Sequence, residues 1–170
     1  MTHSQQELAV SQTDLGVVAP RAIGSQFQCL VVASRAARRD DLSSAARDGG
    51  WVTICCRDAA EARQCVQSMY LQLAVVDLAG PAGVVPAGFP ELVEYLASVS
   101  DLLLVVCGHE GRPHEELWVR QLGTWLYLPG LEDGSELTSL CVEARDLAER
   151  LAASRHVPIK PLEFARQPKP

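Results

Sequence analysis

Leu73-Ala74-Val75-Val76-Asp77 is an apolar run closed by a single carboxylate. A continuous apolar run of this length fits a strand covered on both faces, as in a parallel sheet. Residues 27–33, 51–56, 102–107 and 125–128 read the same way, with the central run extending over 73–78. Helix-like stretches separate them. Residues 35–48 form a polar, Ala-rich helix that Gly49-Gly50 ends. Asp58-Ala59-Ala60-Glu61 has the spacing of a capping box, and Ala62, Cys65, Val66 and Met69 follow at helical period, facing the sheet.

Beyond the central run, residues 79–88 are rich in Gly, Pro and Ala and make a loop longer than usual. Pro90 suits the first turn of a third helix carrying Leu92, Leu96 and Val99. Pro113 opens a short helix to Leu122, and Gly123 closes it. The last helix is capped by Asp133 and Glu136, with one apolar stripe through Leu137, Leu140, Cys141, Ala144, Leu147, Ala148 and Leu151. Strands alternating with helices predict a doubly wound five-stranded parallel sheet in three α/β/α layers. Right-handed crossovers place every strand C-terminus along one edge, where open α/β sheets bind ligands. Asp77, Cys107 and the Ala33-Ser34 pair fall at that edge.

The composition limits what such a domain does. With 170 residues the chain suits one domain over 27–152, a flexible N-terminal arm over 1–26 and a Pro-rich basic tail over 153–170. The net charge of −6, with no Lys before Lys160, argues against direct nucleic-acid binding. No apolar run approaches the roughly 20 residues that span a bilayer, and the N-terminus lacks signal-peptide features, so the expected location is cytoplasmic. Six cysteines without CxxC or zinc-like spacing read as reduced thiols, most of them in the core. Cys107 and His109 are too few for a zinc site.

Over residues 27–152 the chain resembles the receiver domain of bacterial two-component response regulators. Element order and spacing carry the resemblance, with two local strings. Cys56-Arg57-Asp58-Ala59-Ala60-Glu61-Ala62 is similar to the family's second strand running into its second helix, and Leu122-Gly123 before residues 125–128 is similar to its glycine turn into the fifth strand. The resemblance implies the flavodoxin-like strand order 2-1-3-4-5 and assigns site positions. Asp77 stands where the phospho-acceptor stands. Ala33-Ser34 replaces the acidic pair that helps hold Mg²⁺, Cys107 replaces the Thr or Ser ending the fourth strand, and Gly130 replaces the Lys after the fifth. Tyr127 takes the place of the switch aromatic.

These replacements remove the chemistry. Mg²⁺ is a hard cation that needs several oxygen ligands, and phosphoryl transfer rests on positioning and charge neutralisation. The expected protein is therefore a stand-alone receiver-like signalling or scaffold module. It is non-enzymatic, needs no cofactor, and binds a protein partner or a second copy of itself. Trp118 and Trp125 are the candidate contact residues on the fourth-helix to fifth-helix face. The tail, with Leu162 and Phe164, is a candidate docking segment. Asp40-Asp41 is expected to point away from the cleft. Two alternatives stand beside this reading: a phosphorelay receiver still accepting phosphate on Asp77, and a small-molecule sensor using a cleft widened by Ala33, Ser34 and Gly130.

Overall fold

The structure, a computed structural model, describes residues 27–131 and 134–155. The predicted arm, nearly all of the basic tail and the Asp133 cap lie outside them. Strands β1 (Gln28–Val32), β2 (Val52–Cys56), β3 (Leu73–Asp77), β4 (Leu103–Gly108) and β5 (Leu126–Pro129) alternate with helices α1 (Ala36–Asp48), α2 (Ala59–Ser68), α3 (Phe89–Ala97), α4 (Pro113–Gln121) and α5 (Gly134–Arg155). All strand pairings are parallel, in the order β2-β1-β3-β4-β5. The predicted fold is the observed one.

Alternate residues of each strand point to opposite faces, and two cores result. Cys29, Val31, Val75 and Val105 pack with Leu42 and Ala46 of α1 and with Leu137, Cys141 and Ala144 of α5. Leu30, Val32, Val76 and Val106 pack under α2, α3 and α4 against Ala62, Phe89, Leu92 and Val119. On the α1/α5 side, the Trp51 indole donates a buried 2.8 Å hydrogen bond to the Cys141 carbonyl. Gly49 lies against Cys141, where a Cβ would collide with that side chain, so a residue without one lets α1 end on α5.

The capping box forms with its return bond one residue early, on Arg57 and not on the N-cap Asp58. Asp58 Oδ1 accepts from the Glu61 N–H at 2.9 Å, while Glu61 Oε2 accepts from the Arg57 N–H at 2.9 Å.

Several sequence expectations need correction. The α2 stripe stops at Val66, since Met69 is the C-cap and is exposed. Val99 lies beyond the end of α3, whose remaining inward positions are Phe89 and Val93. Leu151 is exposed. Helix α5 continues to Arg155, so residues 153–155 prolong the helix and do not begin the tail. Four cysteines are buried, but Cys65 is only partly so and Cys55 is exposed. Among the described residues no helix is long and apolar enough to cross a membrane.

Candidate functional site

The parallel register sets Asp77 beside Cys107 at the ends of β3 and β4. Asp77 is one of two buried polar residues among those described, at 2% exposure. Its Oδ1 accepts a long 3.4 Å hydrogen bond from the Ala79 N–H, closing the local turn. Its Oδ2 has no hydrogen-bond partner. That oxygen faces two guanidiniums, Arg35 Nη2 and Arg38 Nε, each at 3.8 Å.

Both arginines arrive through α1. Arg35 is its N-cap and Arg38 lies in its first turn, so the chain leaving β1 lays two cations over the sheet edge. Arg38 is steadied by a 2.7 Å hydrogen bond to the Leu131 carbonyl, and Arg39 closes the turn on the Ala33 carbonyl at 2.7 Å. Burial raises the Asp77 carboxyl above the usual carboxylate range, and Arg38, the Ala79 N–H and Arg35 offset only part of that effect.

This arrangement does not fit Mg²⁺. The metal would need several oxygen ligands, yet the buried oxygen of Asp77 looks at two positive charges. Among the described residues no three His, Cys, Asp or Glu side chains converge to hold a metal ion.

Above Asp77 opens a cavity of about 480 Å³, lined by Arg35, Arg38, Asp41, His109, Glu110, Gly130 and Leu131 among others. Asp41 is a correction: it lines the cavity instead of pointing away from it. It stands three residues after Arg38, and residues so spaced share a helix face. Of the sequence-assigned positions, Asp77 and Gly130 line the cavity, whereas Ala33, Ser34 and Cys107 do not. Ala33 belongs to the core, and the Ser34 hydroxyl is enclosed without a partner. Cys107 is a core thiol, pushed up to about 12 by burial and then by Asp77.

Tyr127 is buried with its ring turned inward. Its hydroxyl donates to Glu115 Oε1 at 2.9 Å, and the His109 N–H donates to the same oxygen at 3.0 Å. Glu115 Oε2 lies 3.5 Å from His109 Nδ1 and 3.7 Å from Arg112 Nη1. Arg112 in turn donates to the Gly83 carbonyl at 2.6 Å. Glu115 thus ties β5, the β4–α4 turn and, through Arg112, the loop after β3. Burial and the Glu115 carboxylate raise the Tyr127 phenol above its ordinary value. Gly108 leaves the space for this packing, since a Cβ there would collide with the Tyr127 hydroxyl and ring and the Glu115 carboxylate.

Sequence reading missed Arg35, Arg38 and Glu115. The signal for the arginines was their place directly after the first strand; Glu115 reads on its own as an ordinary acidic residue at a helix start. Trp118 and Trp125 are both partly buried and pack on opposite sides of the sheet, Trp118 with the α2–α4 core and Trp125 with the α1/α5 core. They do not form one patch. The large apolar side chain that α4 exposes is Leu117.

No family model matches the chain, and neither does any curated protein. Solved structures do. A CheY-like receiver domain protein from Methanospirillum hungatei superposes with a TM-score of 0.63 at 16% identity, covering 75% of this chain and 99% of that one. The chemotaxis response regulator CheY4 of Vibrio cholerae gives 0.58 at 18% identity, over 71% and 99% of the two chains. A receiver domain protein from Clostridium thermocellum gives 0.56 at 9% identity, over 71% and 98%. The chain has the fold of CheY-like receiver domains.

Proposed function

We propose that the chain is a receiver-fold signalling or scaffold module that binds a protein partner or a second copy of itself. In this reading it is not an enzyme, works in the cytoplasm and is not driven by Mg²⁺-dependent phosphorylation. The Arg35–Asp77–Arg38 cluster carries the reading. A cation set beside Asp77 would meet two guanidiniums, and like unit charges about 4 Å apart repel by about 4 kcal/mol at a near-surface dielectric. The partner surface in this reading is the α4–β5–α5 side, where Leu117 is exposed and Trp118 partly so.

The test is amide NMR of the full chain with Mg²⁺, then with Mg²⁺ and beryllofluoride, which mimics an aspartyl phosphate. Unchanged signals at Asp77, Cys107 and Tyr127 are expected. Shifts centred there would instead favour a receiver that still accepts phosphate on Asp77. The cavity supports a second reading, a small-molecule sensor, because its volume lies within the range of ligand pockets. A thermal-shift screen with nucleotides and flavins tests it, since a specific ligand raises the melting temperature by mass action.

A further inference from the structure

Away from the strand-end cavity, two thiols face each other. Cys56 ends β2 and is buried, and Cys65 stands in the second turn of α2, partly exposed. Their sulfurs are 3.6 Å apart. The capping hydrogen bonds of Asp58 and Glu61 fix the start of α2 directly after Cys56, so the connection holding the pair together is rigid. The preceding residue, Cys55, alternates to the other side of the strand and is exposed.

We infer that Cys56 and Cys65 form a dithiol site that a peroxide converts to an intramolecular disulfide. A disulfide needs the sulfurs at about 2.05 Å, so rotation about the Cα–Cβ bonds must close a gap of roughly 1.5 Å. Cys65 is the thiol an oxidant reaches. Its sulfur attacks one peroxide oxygen, the O–O bond breaks, and the departing hydroxide takes a proton to leave as water, giving the sulfenic acid. Cys56 sulfur then attacks Cys65 sulfur, the S–O bond breaks, and the second hydroxide leaves as water with the Cys56 proton. Two thiols lose two electrons, and one peroxide becomes two waters. Burial holds the Cys56 thiol above its ordinary value, so the closing step, which needs the Cys56 thiolate, quickens as pH rises.

The experiment treats the full chain with near-stoichiometric hydrogen peroxide and follows intact mass, thiol alkylation and cross-linked peptides. The expected result is loss of two hydrogens, reversed by dithiothreitol, with a Cys56–Cys65 link that C55S retains and C65S abolishes. The link in the parent protein is read without any variant, and a melting curve shows whether C65S stays folded. Oxygen addition at Cys65 with Cys56 still alkylatable, or a link that C55S abolishes, would overturn the proposal. Neither result bears on the partner-binding reading of the strand-end face.

Discussion

Tyr127 and Glu115 meet at 2.9 Å, hydroxyl to carboxylate, joining the fifth strand to the fourth helix. The bond is enclosed, because Tyr127 is buried and the Glu115 side chain is only 9% exposed. Replacing Glu115 with Ala leaves the His109 N–H without its acceptor and the Tyr127 hydroxyl with only a long 3.5 Å bond to the His109 carbonyl. An unsatisfied buried donor costs about 1–3 kcal/mol, and E115A should lose that much in urea denaturation. Y127F should cost less, since Glu115 keeps its other donors. The double variant should fall short of the sum, as contacting residues do. Additive losses would mean that the two side chains act independently.

Gly108→Ala tests the space this pair needs. The added methyl would meet the Tyr127 ring and the Glu115 carboxylate, and overpacking a filled site costs about 1–3 kcal/mol. The expected outcome is lower stability together with a more solvent-accessible Tyr127, read by fluorescence quenching or by ring signals in NMR. A variant as stable as the parent, with Tyr127 still enclosed, would contradict the packing described.

The pH dependence follows from Asp77. Its carboxyl is raised in the fold by burial, despite Arg38, the Ala79 N–H and Arg35. The folded chain therefore holds this proton more tightly than the unfolded chain does. The group's contribution to stability is complete below the ordinary carboxylate pKa of about 4 and is lost as pH rises through the folded-state value. Asp77→Asn removes that loss. The variant should be more stable than the parent at neutral pH, with the difference closing in acid, measured by denaturation across a pH series. A parent more stable than D77N at neutral pH would show that the arginine pair outweighs burial.

Trp51→Phe probes the seam between the first and last helices. The substitution keeps an aromatic ring against Phe27 but leaves the Cys141 carbonyl without the indole donor. The carbonyl keeps its intrahelical bond within α5, so the expected loss is that of one hydrogen bond, about 0.5–1.5 kcal/mol, read from the denaturation midpoint. An unchanged midpoint would mean that the indole bond adds nothing net to the seam.

The frame of this fold was legible because apolar period alone decides it. The five strand runs, the Asp58–Glu61 cap, and Leu137, Cys141, Ala144 and Ala148 on α5 were each readable within a few neighbouring residues. Asp77 was legible for the same reason, since a parallel sheet delivers all its strand ends to one edge. What surrounds Asp77 was not. The family resemblance points to a cation after the fifth strand, whereas the cations are the N-cap Arg35 and the first-turn Arg38 of α1, which follows β1 directly. Asp41 stays hidden for the same reason, as it shares its helix face with Arg38. Glu115 and Gly108 take their meaning from Tyr127, a neighbour in space that is 12 residues from Glu115 in sequence. Met69 continues the apolar period past the end of its helix, where that period no longer fixes a face.

The seam of α1, Trp51 and α5 also bears on how the protein is made. The first strand lies inside the sheet, between β2 and β3, yet one of its faces is roofed partly by the last helix. During synthesis the α2–α4 half of the core can close early from neighbouring segments. Phe27, Trp51 and the outer face of β1 must wait until Leu137, Cys141 and Ala144 have left the ribosome. Chains interrupted before α5 would therefore carry an open apolar face, the kind of surface that chaperones bind and that aggregates when they do not.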